Sequence, residues 1–169
     1  MATGDNQFRQ LGLPHTDRTV DFIMIPEFPY RAKAIDAGVE HSLILTTDDK
    51  IYACGNNKLG NLGLGHTYSS DSFLLVHGLQ PNMRFKKVAA GRHSAALTDD
   101  GRLFVWGMVF SSDKPLLLPQ ELKSNKIIKQ LSVGEKTSAI IDEDWHLYTW
   151  GSDNSQGQFG RKEDGVDMP

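Results

Sequence analysis

The sequence predicts an all-β protein made of about three β-propeller blades, too few to close a ring unless another chain or a second copy completes it. Three observations predict this. A stretch of about twenty residues occurs three times in the 169-residue chain, and a glycine closes each copy at the same place. No long stretch carries the periodicity of an amphipathic helix.

The three copies are DAGVEHSLILTTDDKIYACG (Asp36 to Gly55), AAGRHSAALTDDGRLFVWG (Ala89 to Gly107) and SVGEKTSAIIDEDWHLYTWG (Ser132 to Gly151). Aligned on the last glycine, His41, His93 and Thr137 stand 14 residues before it, followed by Ser42, Ser94 and Ser138. The likeness runs backwards through Ile35, Val88 and Leu131, with Phe85 matching Ile128. It runs forwards from GNNKLGNLGLG to GSDNSQGQFG, and a further copy, GDNQFRQLGL, begins at Gly4. The markers Gly4, Gly55, Gly107 and Gly151 are spaced by 51, 52 and 44 residues. A repeat of this period signals an array of like units, each burying its faces on its neighbours.

Each element of the unit has a physical warrant. SLILT and SAALT are short, apolar and partly β-branched, as suits a strand buried on both faces. The segments TTDDK, TDDGR and DEDWH read as hairpin turns. In the strand that follows, Ile51, Leu103 and Leu147 alternate with Tyr52, Phe104 and Tyr148, which is period-two patterning. FKKVAAG and IKQLSVG read as a further strand, and SFLLVHGL, within residues 69–80, reads better as strand than as helix. The glycines fit positions of positive φ or of close backbone approach near an axis, and Ala37, Ala90 and Ser132 beside them fit the same crowding.

AGVEHSLILTTDDKIYACGNNKLGNLGLG resembles the signature of the regulator of chromosome condensation repeat family: Ala-Gly, His-Ser/Thr, an apolar strand, an Asp-Gly turn, aromatic-x-x-Gly, then Asn-x-x-Gly-x-Leu-Gly. The signature positions are Gly38, His41, Ser42, Gly55, Gly91, His93, Ser94, Gly107, Gly134, Ser138 and Gly151. The resemblance implies blades of four antiparallel strands, usually seven in a closed ring. It divides a single domain, residues 1–160, into units of approximately 5–55, 56–107 and 108–151, with a polar tail or linker at 161–169. The chain departs from the pattern after Trp106-Gly107, where MVFSSDKPLLLPQ replaces Asn-x-x-Gly-x-Leu-Gly, so that loop is expected to differ from its neighbours.

The side chains that suggest chemistry read as structure. A His-Ser pair that occurs twice and becomes Thr137-Ser138 is blade packing, because a catalytic dyad is built once. The imidazoles are expected to hydrogen-bond within or between blades. Asp48, Asp49, Asp99, Asp100, Asp142 and Asp144 sit at turns and lack the ligand spacing of a calcium loop. Cys54 with His41 falls short of the three or four ligands of a zinc site. GNNKLGNLGLG lacks the Lys-Ser/Thr of a phosphate loop. No catalytic, cofactor or metal residue is assigned.

Composition narrows the partners. Lys+Arg of 18 against Asp+Glu of 21 gives a formal charge of -3, with no basic run, which disfavours nucleic acid and a membrane surface. One cysteine, no secretory leader pattern and no long apolar run point to an intracellular protein, cytoplasmic or nuclear, with the family resemblance admitting a ciliary one. The expected function is a non-enzymatic protein-interaction module or scaffold. Its candidate contacts are the loops that break the repeat: Met108, Val109, Phe110, Ser111, Asp113 and Lys114, with Phe110 as anchor, and Tyr68, Ser69, Ser70 and Asp71. The expected partner is a protein, among them a chain completing the propeller or a second copy. The resemblance offers an alternative, guanine nucleotide exchange on a small GTPase of the Ran type.

Overall fold

The computed structural model describes residues 1–25, 28–109, 114–151 and 154–160. Among them are thirteen strands and no helix. They are β1 (Ala2–Gly4), β2 (Thr19–Ile23), β3 (Ala32–Ala37), β4 (His41–Thr46), β5 (Ile51–Gly55), β6 (Ser70–Leu75), β7 (Phe85–Ala90), β8 (His93–Thr98), β9 (Leu103–Gly107), β10 (Leu116–Leu122), β11 (Ile128–Val133), β12 (Thr137–Asp142) and β13 (Leu147–Gly151). They form four antiparallel sheets in simple up-and-down order: β1-β2, β3-β4-β5-β6, β7-β8-β9-β10 and β11-β12-β13. SFLLVHGL is strand only in its first half: β6 takes in Ser72 to Leu75, paired to β5 across the loop that follows Gly55, and ends before His77.

The core lies between sheets rather than within one. Leu43, Leu45 and Ile51 of the second sheet pack on Phe85, Val88, Phe104 and Trp106 of the third. Leu97, Leu103 and Val105 of the third pack on Ile128, Leu131, Ile140 and Trp150 of the fourth. The third sheet therefore has both faces covered, and on the second the Gln10–Gly12 segment meets Ser42, Cys54 and Phe73 from the other side. That is why every residue of β4, β5, β8 and β9 is buried and why SLILT and SAALT read as unbroken apolar runs. The repeat period shows at the ends of the array. Ile35 is 64% exposed, whereas its equivalents Val88 and Leu131 are 2% exposed; Leu147 is 64% exposed, against 1% for Ile51 and 2% for Leu103.

The hairpin turns repeat, with a side-chain oxygen at one position accepting the amide four residues on. Thr46 and Thr98 Oγ1 accept the amides of Lys50 and Arg102 at 3.1 and 2.8 Å, and Asp142 Oδ1 accepts that of His146 at 2.8 Å. The marker glycines answer to crowding. A Cβ on Gly55, whose φ is +110°, would lie 2.4 Å from the Glu40 carbonyl oxygen. One on Gly91 would lie 2.3 Å from that of Gly134, where adjacent inner strands meet.

Candidate functional site

In an up-and-down four-stranded sheet, the turn between the first and second strands and the loop after the third lie at the same end. That end of the array carries the loops that follow Gly4, Gly55, Gly107 and Gly151. Three of them share one construction. Asn6, Asn57 and Asn154 each accept, through Oδ1, the amide five residues on, at 2.9, 2.8 and 2.9 Å. Asn57 Nδ2 also donates to the carbonyls of His66 and Tyr68, at 2.8 and 3.0 Å, and so folds the long second loop back on itself.

These loops also clasp the next blade. The Asn61 carbonyl accepts Ser94 Oγ at 2.6 Å and Trp106 Nε1 at 2.8 Å, and His41 Nε2 lies 2.8 Å from Ser94 Oγ. One loop earlier, the Gln10 carbonyl accepts Ser42 Oγ at 2.7 Å and Cys54 Sγ at 3.4 Å. His41, Ser94 and Trp106 thus join the second and third sheets, which is the role the sequence led us to expect of the imidazoles; His93 Nε2 finds no such partner among the described residues. Burial, and then the charge of His93, lowers the pKa of His41 to about 4; burial and the Arg92 charge lower that of His93 to about 4. Both rings are neutral near pH 7. Burial pushes the Cys54 thiol up, away from the reactive thiolate.

Asp142, Asp144 and His146 bring their ligand atoms within 4.8 Å of one another. Asp142 is already engaged: its carboxylate takes the amides of Asp144 and His146 and the Tyr148 hydroxyl, and faces His146 Nδ1. Asp144 holds Lys126 Nζ at 2.6 Å. The group closes a turn, at the position of Thr46 and Thr98.

The candidate contact residues divide. Tyr68 is 77% exposed and Ser69 is exposed, its Oγ accepting the Asn57 amide at 3.1 Å. Ser70 and Asp71 are half-buried at the start of β6, and Asp71 lies 3.9 Å from Arg9. Lys114 is exposed and Met108 half-buried. Val109 is 2% exposed and packs in the core between the third and fourth sheets, so it serves packing and offers no contact surface. Phe110, Ser111 and Asp113 lie outside the described residues.

Two cavities on this face went unread in the sequence. One, of about 190 Å³, sits where the inner turns converge and is lined by residues that include Val39, Glu40, His41, Leu59 and Arg92. The other, of about 150 Å³, lies between the first two loops and is lined by Gln7, Phe8, Arg9, Asn56, Lys58 and Ser69. A signal for the second existed. Arg9 has φ +64°, at the place of Gly60 (+75°) and Gly157 (+76°) in the later loops, so a side chain stands where the repeat has glycine.

With the geometry in hand, comparison with known proteins decides the family. The regulator of chromosome condensation (RCC1) repeat family matches residues 32–61 and 85–108. The chain is built of regulator of chromosome condensation repeats. The X-linked retinitis pigmentosa GTPase regulator of Canis lupus familiaris is 35% identical over 136 residues, covering 75% of this chain and 13% of that protein. The Regulator of chromosome condensation of Homo sapiens is 29% identical over 175 residues, covering 95% of this chain and 40% of that protein. Human WBSCR16 superposes with a TM-score of 0.81 at 23% identity, over 99% of this chain and 46% of that one, a likeness of fold. This RCC1-repeat chain therefore spans less than half the length of each of these relatives.

Proposed function

We propose that this RCC1-repeat chain is a non-enzymatic protein-interaction module whose contact surface is the loop face. The observation that supports it most directly is the buried His41, Ser94 and Asn61 arrangement, which engages the reactive-looking side chains in joining blades. A rigid frame with exposed loops suits recognition of a protein. The contact set is Tyr68, Ser69, Ser70 and Asp71, with Met108 and Lys114 of the third loop; Phe110, Ser111 and Asp113 join it on sequence grounds. We place the protein inside the cell; no described helix is long and apolar enough to cross a membrane. Affinity capture by the immobilised chain, followed by Tyr68→Ala, tests the reading. Loss of a captured protein with an unchanged melting temperature supports it; unchanged capture removes the Tyr68 loop from the surface.

The apolar ends offer a second kind of contact. Ile35 at one end and Leu147 at the other occupy positions that neighbouring blades cover elsewhere in the array, and they fit further blades from a partner chain or a second copy. In a two-copy ring one strand would have to yield. β1 and β13 both stand third in their sheets, each ending on a marker glycine, so the two end sheets together hold five strands.

Nucleotide exchange on a small GTPase of the Ran type is the second reading; the name of one relative, a GTPase regulator, supports a GTPase as partner. Release of labelled GDP from a Ran-type GTPase tests it directly. No acceleration by the full chain removes this reading.

A further inference from the structure

We propose that the cavity between the first two loops binds a carboxylate side chain presented by a partner protein, with Arg9 and Lys58 as its charged contacts. This rests on the reading of the loop face as an interaction surface. Its lining is Gln7, Phe8, Arg9, Asn56, Lys58 and Ser69: two cations, two amides, a hydroxyl and one ring, with no acid. Every polar side chain among them carries an N–H or O–H, Asn56 Nδ2 already giving one of its two hydrogens to Glu40 Oε2 at 2.6 Å, and a carboxylate is an acceptor only. Ser69 Oγ accepts the Asn57 amide and keeps its own hydrogen for a ligand. Phe8, half-buried, gives an apolar wall for the methylenes of an Asp or Glu side chain. This favours a protein carboxylate over a free inorganic anion. A volume of about 150 Å³ accommodates such a side chain.

Two further observations point to a ligand at Arg9. Among the described residues it pairs with Asp71, at 3.9 Å between side chains that are 46% and 42% exposed, a loose contact that a better-placed carboxylate can displace. Its backbone sits at φ +64° with its side chain in solvent, while the same loop position is glycine in the two later copies. A strained, exposed, charged residue at a glycine position makes no packing gain that would account for it. Projecting a guanidinium into the cavity mouth does account for it.

The test is a titration of the full chain with a fluorescein-labelled glutamate-rich peptide, read by anisotropy and by amide NMR shifts. A lysine-rich peptide and inorganic phosphate are the controls. The glutamate peptide should shift the amides of Phe8, Arg9 and Lys58. Arg9→Gly should weaken it about tenfold, the scale of one charge-assisted hydrogen bond. The same change should leave the melting temperature equal or higher, because glycine suits that backbone. Asp71→Asn should tighten binding about twofold by freeing Arg9. Absent shifts at those amides, or an Arg9→Gly variant that binds as well as wild type, overturn the proposal. So does phosphate that displaces the peptide at equal concentration, since the site would then take any small anion. If Tyr68→Ala still abolishes partner capture while the peptide fails to bind, this cavity assignment falls and the interaction face stands.

Discussion

The second and third blade junctions are built from the same signature and end differently. Between the second and third sheets, the Asn61 carbonyl gathers Ser94 Oγ and Trp106 Nε1, and His41 Nε2 completes the cluster at 2.8 Å from Ser94 Oγ. Between the third and fourth sheets, the equivalent His93 Nε2 is buried with no hydrogen-bond partner among the described residues. A cavity of about 10 Å³, near the lower limit of room for one water, lies there between His93, Met108, Ser138 and Trp150. What differs is the preceding loop. The second junction receives a carbonyl from Asn-x-x-Gly-x-Leu-Gly, and the third is preceded by Met108 onwards, where that motif is missing. At the second junction the signature side chains use the neighbouring loop's backbone; at the third, His93 Nε2 meets no such partner among the described residues, and a buried polar atom left unpaired is costly.

The largest way to break the contrast is at the second junction. Trp106→Ala removes a fully buried indole together with its bond to Asn61. It should cost about 3–5 kcal/mol, read from urea unfolding of the full chain. A loss below about 1 kcal/mol would mean that the junction is not where the stability of the array lies.

Acid should loosen both junctions. Each histidine has a folded-state pKa of about 4, below the unfolded value of about 6.5, so the unfolded chain binds more protons between those values. Stability is then fully present above about pH 6.5 and falls as pH drops toward 4, by about 3 kcal/mol for each ring. Denaturant midpoints measured from pH 7 to 4 check this. The drop should shrink by about half in His41→Gln, and a drop unchanged in the variant would assign the acid sensitivity to other groups.

How far this contrast could be read in advance follows from which residues repeat. The strands, the turns and the glycine crowding were legible because three copies state each rule three times; Thr46, Thr98 and Asp142 make the same turn with different atoms. The loop after Gly107 has no second copy, so nothing told Val109 apart from its neighbours, and it proved to be core. Arg9 was legible in principle, since alignment sets it against Gly60 and Gly157, but its meaning needed a backbone angle. The cavity it borders joins Gln7 to Ser69 across sequence distance, which no local pattern reports. Exposure at Ile35 and Leu147 likewise depends on which neighbour is present rather than on the residue itself.

The sharpest test uses two serines at one repeat position. Ser94 Oγ donates to the Asn61 carbonyl and faces His41 Nε2, so Ser94→Ala leaves that nitrogen without a partner in a buried site. The expected cost is about 1–3 kcal/mol. Ser138 is buried too, but His93 Nε2 has no partner among the described residues, so no His93–Ser138 bond exists to be lost. Ser138→Ala should cost about 0.5 kcal/mol or less, within the range of changes that break no network. Denaturant midpoints of the two variants, measured side by side, isolate the loop carbonyl as the cause, because the substitution, the strand position and the burial are matched. Equal costs would mean that the third junction is held by bonds like those of the second, and that the missing motif is replaced in full by the residues after Gly107.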